Sequence, residues 1–458
     1  MGTEKRIGTI AVADIPSLRF RWLSFILFFL LFLIVLTGAV SIPFLFESQS
    51  ILYKFGIDKI MLRTGKILGI VAVVLILIQI LFSARLKMLD RIVALDRLYY
   101  VHRINAFLIV TLIFLHPILV LLPEGLTNIS FDMRSWPEMV GVLLLLLLLS
   151  ITVTGVWRLK LKIPFERWLF VHRLATFVVI VLVGLHVLYV SDTFKQPIPR
   201  LSVLLICGVY CSIFVWIRIK SKLLRVNPWD VSGVTALSKD TFLVELSLAN
   251  KKEFSYLPGQ FVFLSFASPG VPDEEHPFTI SSTPTRSDTL SFTIRNCGDW
   301  TRTIDKLMVG DSAFVDGPYG KFSFLNERDC EIIMIAGGIG ITPMLSMLRY
   351  MADTEEARKI TLIWTNRTDR HLLYEDELDK LQNSLPGFHL INIFTRESTT
   401  GVESRRLNQI QLQTLVKDCD RRAAVFLCGP SPLMRSVLTW LPKIGFSRKN
   451  IHWEKFSL

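Results

Sequence analysis

Val101-His102-Arg103-Ile104-Asn105-Ala106-Phe107 runs on to Leu115-His116, and Val171-His172-Arg173-Leu174-Ala175-Thr176-Phe177 runs on to Leu185-His186. Both stretches read V-H-R-[IL]-x-x-F, and in both a second histidine follows the first by 14 residues. In a helix, 14 residues rise about 21 Å and turn about 1400°, leaving the two histidines about 40° apart on one face. Each stretch lies in an apolar run, and one further apolar run separates them, so the two cross a membrane in the same direction. His102 can then face His172, and His116 can face His186. A lone membrane histidine is as readily a hydrogen-bonding group between helices. Four in matched pairs point to function, because ionisable groups in a bilayer are costly. Facing histidines are natural axial ligands for haem iron. Zinc, the rival, needs its ligands within about 2 Å of one ion, and a separation of about 21 Å forbids that for all four. The reading is two b-type haems, one per pair.

Six segments are long and apolar enough to cross a bilayer, which takes about 20 residues. They run Leu23–Phe46, Ile60–Phe82, Tyr99–Leu122, Met139–Trp157, Leu169–Val190 and Leu201–Ile217. The flanks of one side hold 16 basic residues, from Lys5, Arg6, Arg19 and Arg21 through Arg85 and Arg158 to Arg218 and Arg225; the alternate loops hold seven. The positive-inside bias puts the N-terminus and everything after Ile217 in the cytoplasm, with the plasma membrane as the expected location. The first apolar stretch is too long for a signal peptide and lacks a small-residue cleavage site. Asn128-Ile129-Ser130 would be an outer sequon of little weight. Arg103 and Arg173, just inside the cytoplasmic edge, either pair with the inner haem's propionates or snorkel.

Charge follows the same division. Residues 1–226 hold 25 Lys+Arg against 11 Asp+Glu, whereas residues 227–458 hold 26 against 28. The net charge of +12 thus belongs to the membrane half, and a nucleic-acid binder is excluded. A mean hydropathy of +0.46 excludes intrinsic disorder. Six scattered cysteines contain no C-x-x-C, which argues against zinc ribbons, thioredoxin-like chemistry and covalent c-type haem.

Beyond Asn227-Pro228-Trp229 the texture changes. Thr241–Leu248, Gln260–Phe266 and Thr289–Ile294 alternate and are parted by Gly and Pro, as strands of an antiparallel barrel do. From about Cys330, buried-strand candidates Ile332–Ala336, Ile360–Thr365, His389–Phe394 and Ala423–Cys428 alternate with helical stretches, predicting a parallel doubly wound sheet. The expected domains are 1–222, an all-α six-helix transmembrane bundle; 223–328, a β-barrel; and 329–458, an α/β nucleotide-binding domain.

Five motifs then occur in order: His276-Pro277-Phe278-Thr279-Ile280-Ser281-Ser282, Ile294-Arg295-Asn296-Cys297-Gly298-Asp299-Trp300-Thr301, Val315-Asp316-Gly317-Pro318-Tyr319-Gly320, Gly337-Gly338-Ile339-Gly340-Ile341-Thr342-Pro343 and Cys428-Gly429-Pro430. Together with the paired histidines, the chain resembles the NADPH oxidase and ferric reductase superfamily over nearly its whole length. The resemblance implies a ferredoxin-reductase-like FAD and NAD(P)H dehydrogenase joined to a six-helix di-haem domain.

By that resemblance, His276-Pro277-Phe278-Thr279 is the flavin motif. Phe278 packs on the isoalloxazine, Thr279 offers a hydroxyl to its reactive edge, and His276 stands near the phosphates. Arg295, Gly298, Trp300 and Thr301 supply charge, backbone N–H groups and a hydroxyl to the pyrophosphate. Gly337, Gly338 and Gly340, followed by Thr342 and Pro343, let the backbone approach a dinucleotide at a helix N-terminus. Cys428, Gly429 and Pro430 end a strand and border the nicotinamide. Arg367 and Arg396 follow two strands and either clamp an adenosine 2′-phosphate, favouring NADPH over NADH, or are solvated surface groups. Phe456 resembles the family's terminal aromatic that shields the flavin.

The implied path runs from NADPH to FAD, to the inner haem (His102/His172), to the outer haem (His116/His186), and to an acceptor outside. Oxygen, giving superoxide, is the first expectation, with Arg63 at the outer end of the second span stabilising the anion, snorkelling, or pairing with a propionate. A ferric chelate is the second, and an extracytoplasmic protein the third. No obligatory protein partner is evident.

Overall fold

The computed structural model describes residues 18–49, 51, 54–124, 132–224, 228–248, 254–286, 288–327, 330–369, 372–396 and 406–455. Phe456, Asn128-Ile129-Ser130 and the basic residues Lys5, Arg6 and Arg225 lie outside them. The chain divides into two compact units, one of Ser17–Lys222 and one that includes everything from Leu223 onward.

The first unit is helical: α1 Leu18–Leu45, α2 Gly56–Ser83, α3 Lys87–Ile92, α4 Leu95–Glu124, α5 Trp136–Trp157, α6 Phe165–Val190 and α7 Pro197–Leu224. All but α3 are long and apolar enough to cross a membrane, with mean hydropathy between 2.0 and 2.9 in their most apolar windows. Such helices satisfy their own backbone polar groups, which hydrocarbon demands. They are apolar all round, so side chains such as Leu31, Ile34, Leu146 and Leu205 remain outward and exposed. Inside, Leu75, Ile76 and Ile109 form a small core with Phe32, Leu112, Leu148 and Val183 packed against it. Helix α2 lies along α4, and α5 along α6. Sequence periodicity did not single out α3; Asp90 near its end is buried and accepts from the Leu95 amide at 3.0 Å, starting α4.

The second unit holds two sheets. Strands β1 Trp229–Ser238, β2 Thr241–Leu248, β3 Phe261–Ala267, β4 His276–Thr279, β5 Thr289–Arg295 and β6 Ser312–Tyr319 form an antiparallel sheet ordered β4-β3-β6-β1-β2-β5. Its inner face carries Val244, Leu246, Val262, Leu264, Phe266, Ile280 and Phe292. The two edges of this sheet approach each other where Ile280, next after β4, bridges to Phe292 of β5 and the Ser281 amide donates to the Ser291 carbonyl at 2.8 Å.

The parallel sheet contains β7 Ile332–Gly337, β8 Ile360–Asn366, β9 Phe388–Phe394, β10 Ala424–Cys428 and β11 Ile451–Glu454 in the order β11-β10-β7-β8-β9. Helices α8 Ile341–Asp353, α9 Glu375–Ser384, α10 Gln409–Leu415 and α11 Ser431–Lys443 connect the strands. One face buries Met334, Leu362, Trp364 and Phe426; the other buries Ile333, Ile335, Ile363, Val425 and Leu427. Burial on both faces is why these strands read as continuous apolar runs. The chain steps outward from β7 to β8 and β9, then returns to β10 on the other side of β7. Loops after β7 and β10 therefore flank a topological switch point, where open α/β sheets bind ligands.

Polar bonds join the two sheets. Arg349 of α8 holds Glu377 of α9 through two nitrogens, at 2.6 and 2.8 Å, and donates to the Ser281 carbonyl at 2.7 Å. Ser346 donates to the Ser282 carbonyl at 2.7 Å, and the hydroxyls of Thr293 and Tyr374 share a 2.8 Å hydrogen bond.

Candidate functional site

Within the helical unit, α4 and α6 bring the four histidines together as two pairs. The ring centres of His102 and His172 are 6.4 Å apart, and those of His116 and His186 are also 6.4 Å apart. Three of the four imidazoles are oriented by backbone carbonyls at Nδ1: His102 by Gln79 at 3.0 Å, His116 by Gly65 at 2.7 Å and His186 by Pro137 at 2.8 Å. Donating Nδ1–H to a carbonyl leaves the Nε2 lone pair to face outward as a metal ligand. His172 differs, its Nδ1 having no hydrogen-bond partner among the described residues while Trp168 packs 4.9 Å from its ring.

The residues that seat these rings escaped the sequence reading. A Cβ at Gly141 would lie 2.7 Å from His186 Cε1, and one at Gly69 would lie 3.0 Å from His116 Nδ1. Both glycines make room for an imidazole. Gln79 donates to the His102 carbonyl at 2.8 Å and accepts from Asn105 at 2.7 Å. The only signal available was a glycine or amide inside an apolar run, which has many other uses. Arg103 and Arg173 are exposed on α4 and α6. Arg63 is ion-paired with Glu47, and its guanidinium lies 4.7 Å over the Phe44 ring.

The second unit assembles the dinucleotide motifs. His276 and Phe278 both lie against Trp300, at 4.4 and 5.6 Å between ring centres. His276 Nε2 is 3.2 Å from Glu274, a partner not foreseen, while Pro277 is half-buried and Thr279 is buried. Trp300 itself is a core residue: its indole is buried and donates to the Pro272 carbonyl at 2.9 Å. Its side chain is thus the floor under His276 and Phe278, because an indole of that area is best buried with its N–H satisfied. The Thr301 hydroxyl accepts from the amides of Cys297 at 2.9 Å and Gly298 at 2.8 Å, closing the turn.

Arg295 is held by Asp240 at 2.9 Å, and one of its terminal nitrogens would lie 3.3 Å from a Cβ on Gly338. Burial works against the charge of Asp240, but the hydrogen bonds from Arg295, Ser238 and Thr241 hold its carboxyl below the ordinary range. The arginine of the Ile294–Thr301 motif thus lies beside the glycine turn of the other sheet.

At the switch point, the loops of β7 and β10 touch backbone to backbone. A Cβ at Gly429 would lie 3.0 Å from Gly337 Cα, and one at Gly340 would collide with the Cys428 carbonyl. Gly338 adopts φ +52°, a region costly for other residues. Trp364 anchors this turn by donating to the Gly338 carbonyl at 3.0 Å, and Thr342 donates to Ile339 at 3.1 Å beside buried Pro343. Cys428 is fully buried, which pushes its thiol well above the ordinary range, and Pro430 precedes α11. A thiol so placed packs the sheet and is no thiolate nucleophile. Arg367 and Arg396 are exposed at the ends of β8 and β9 and adjoin, the Arg396 amide donating to the Arg367 carbonyl at 2.9 Å.

A helical membrane unit bearing paired histidines, joined to a unit with two dinucleotide motifs, has the parts of an electron-transfer oxidoreductase. Three family models match in succession: a ferric reductase like transmembrane component over residues 68–183, an FAD-binding domain over 228–323 and an oxidoreductase NAD-binding domain over 334–439. The three follow one another in the NADPH oxidase/ferric reductase-like architecture, and six helices of the first unit are long and apolar enough to cross a membrane.

Individual relatives match about half of it. The glycine betaine monooxygenase reductase subunit of Chromohalobacter salexigens is 31% identical over 212 residues, 44% of this chain and 56% of that protein. The propane 2-monooxygenase reductase component of Mycolicibacterium smegmatis is 28% identical over 235 residues, 50% of this chain and 67% of that one. The chain thus spans little more than half the length of the first relative. A solved Amycolatopsis cytochrome P450 reductase, GcoB, is 23% identical and aligns over 50% of this chain and 69% of its own with a TM-score of 0.45, too slight a likeness to carry an argument.

Proposed function

We propose that the chain carries electrons from cytoplasmic NADPH, through FAD and two b-type haems, across the plasma membrane to molecular oxygen, producing superoxide, with both termini cytoplasmic. The observation that carries this reading is the pair of equal histidine spacings. A metal–nitrogen bond of about 2 Å plus roughly 1.2 Å to the ring centre, taken on both sides, comes to about 6.4 Å for two imidazoles on one iron. Both pairs have a centre-to-centre distance of 6.4 Å. A bound flavin supplies the conversion of a two-electron hydride into single electrons, and haem supplies the one-electron relay.

The chain's own residues do the rest. His102/His172 and His116/His186 hold the metals at two depths. Gln79, Gly65 and Pro137 keep three rings in the ligating tautomer. Phe278 and His276, stacked on Trp300, offer an aromatic platform to the flavin. The glycine turns after β7 and β10 admit the nicotinamide dinucleotide.

Ferric-chelate reduction is the second reading, favoured by the short link of residues 191–196 between α6 and α7, which would leave the edge of a haem held by His116 and His186 open to a bulky acceptor. The full chain, given NADPH and FAD, should produce a superoxide signal that superoxide dismutase suppresses. Brisk anaerobic reduction of ferric chelates, with negligible oxygen uptake in air, would establish the second reading instead.

Two further outcomes are expected. Replacing Gly141 by Ala should displace the His186 ring and lower haem affinity at that pair by roughly tenfold, read by titrating haem into apoprotein. Replacing Arg367 and Arg396 by Gln should raise KM for NADPH by about tenfold or more while leaving NADH little changed, since only the former carries the phosphate these arginines meet.

A further inference from the structure

The end of α2 that supports His116 is unusually charged. Arg63 and Lys66 lie inside the span Gly56–Ser83, three residues apart and hence on one face. Between them, the Gly65 carbonyl accepts from His116 Nδ1 at 2.7 Å. Ionisable groups at such depth are costly unless paired, and each cation is met by a carboxylate from elsewhere in the chain. Glu47, just after α1, ion-pairs with Arg63 and lies 3.5 Å from Lys59. Asp192, just after α6, lies 3.8 Å from Lys66.

Asp192 is itself secured. Burial works against its charge, but the Ser48 hydroxyl at 2.7 Å, the Gln49 amide at 2.9 Å and Lys66 hold its carboxyl below the ordinary range. Lys66 also donates to Thr193 at 3.0 Å. Glu47, Ser48 and Gln49 are consecutive, so one short segment both supplies a carboxylate to Arg63 and fastens the carboxylate that meets Lys66.

We infer that Glu47 and Asp192 are specificity-determining residues that screen Arg63 and Lys66 and so bias the outer site toward an uncharged acceptor and against anionic ones. The inference rests on the outward orientation and electron path proposed above, and it names the acceptor class for that site. With Lys59, the cluster holds three cations against two carboxylates. Neutralising one carboxylate doubles the net positive charge of this cluster, which lies within about two helical turns of the His116 support. In a low-dielectric wall such a field concentrates anions and speeds their encounter.

The test is acceptor competition with the full-length chain, NADPH and FAD, using oxygen, ferric-EDTA as the anion and hexaammineruthenium(III) as the cation. Glu47→Gln should raise kcat/KM for ferric-EDTA relative to oxygen by about fivefold, and the gain should shrink in high salt. Asp192→Asn should act in the same direction, Glu47→Asp should keep the parent ratio, and Arg63→Gln should lower it. The cationic probe should move oppositely to the anionic one. A ratio unchanged within twofold in both Glu47→Gln and Asp192→Asn, or equal changes for anion and cation, overturns the inference. If Glu47→Gln fails to fold, the opposed shifts in Asp192→Asn and Arg63→Gln decide alone. A parent protein whose flavin is reduced but which serves none of the three acceptors would instead sink the electron path.

Discussion

Alanine at both His102 and His186 removes one ligand from each pair, so the full chain should lose both haem signatures from its visible spectrum. Electron delivery to any outer acceptor should then fall by more than about 100-fold. Reduction of the flavin by NADPH should persist, because the FAD-binding and NAD-binding domains belong to the other compact unit. His102→Ala alone should leave the His116/His186 pair loaded and its spectrum intact. An unaltered spectrum in the double variant would falsify the pairing of α4 with α6.

The second large effect belongs to Gly340. A methyl group there would run into the Cys428 carbonyl, which cannot swing aside because β10 is bonded to β7 through its whole length. Gly340→Ala should therefore spread the two loops at the switch point and slow NADPH-driven flavin reduction by at least about tenfold, a loss of roughly 1.4 kcal/mol or more in transition-state stabilisation. Stopped-flow flavin bleaching is the measurement. Dithionite, which needs no nucleotide site, should reduce the flavin of this variant at the parent rate. Equal slowing with both reductants would mean that the flavin site, and not the nucleotide site, had been disturbed.

Much of the fold was legible in the sequence because its signals are periodic. Six apolar runs lie within a few residues of the six long apolar helices, since crossing hydrocarbon admits little else. Thr241–Leu248 is a strand with the expected bounds, and the doubly buried strands of the parallel sheet announced themselves as unbroken apolar runs. Strands β1, β4, β6 and β11 were missed: β1 mixes buried and exposed positions without regular alternation, and β4 and β11 have only four residues each. How nearly the two edges of the antiparallel sheet meet depends on sheet curvature, which local pattern does not encode.

The sequence by itself determined which residue types recur at which spacing: histidines 14 apart on two helices, and glycines at strand ends. Helical and pleated geometry convert such spacings directly into faces. Only the tertiary structure decided the partners: that Gly141 and Gly69 make room for the histidine rings, that Glu47 and Asp192 meet the cations of α2, that Arg295 lies beside Gly338, and that the Trp300 indole lies against His276 and Phe278. Those contacts join segments from 16 to more than a hundred residues apart. Which of many chemically equivalent partners meets a given side chain is set by packing of the whole chain, and no local pattern carries it.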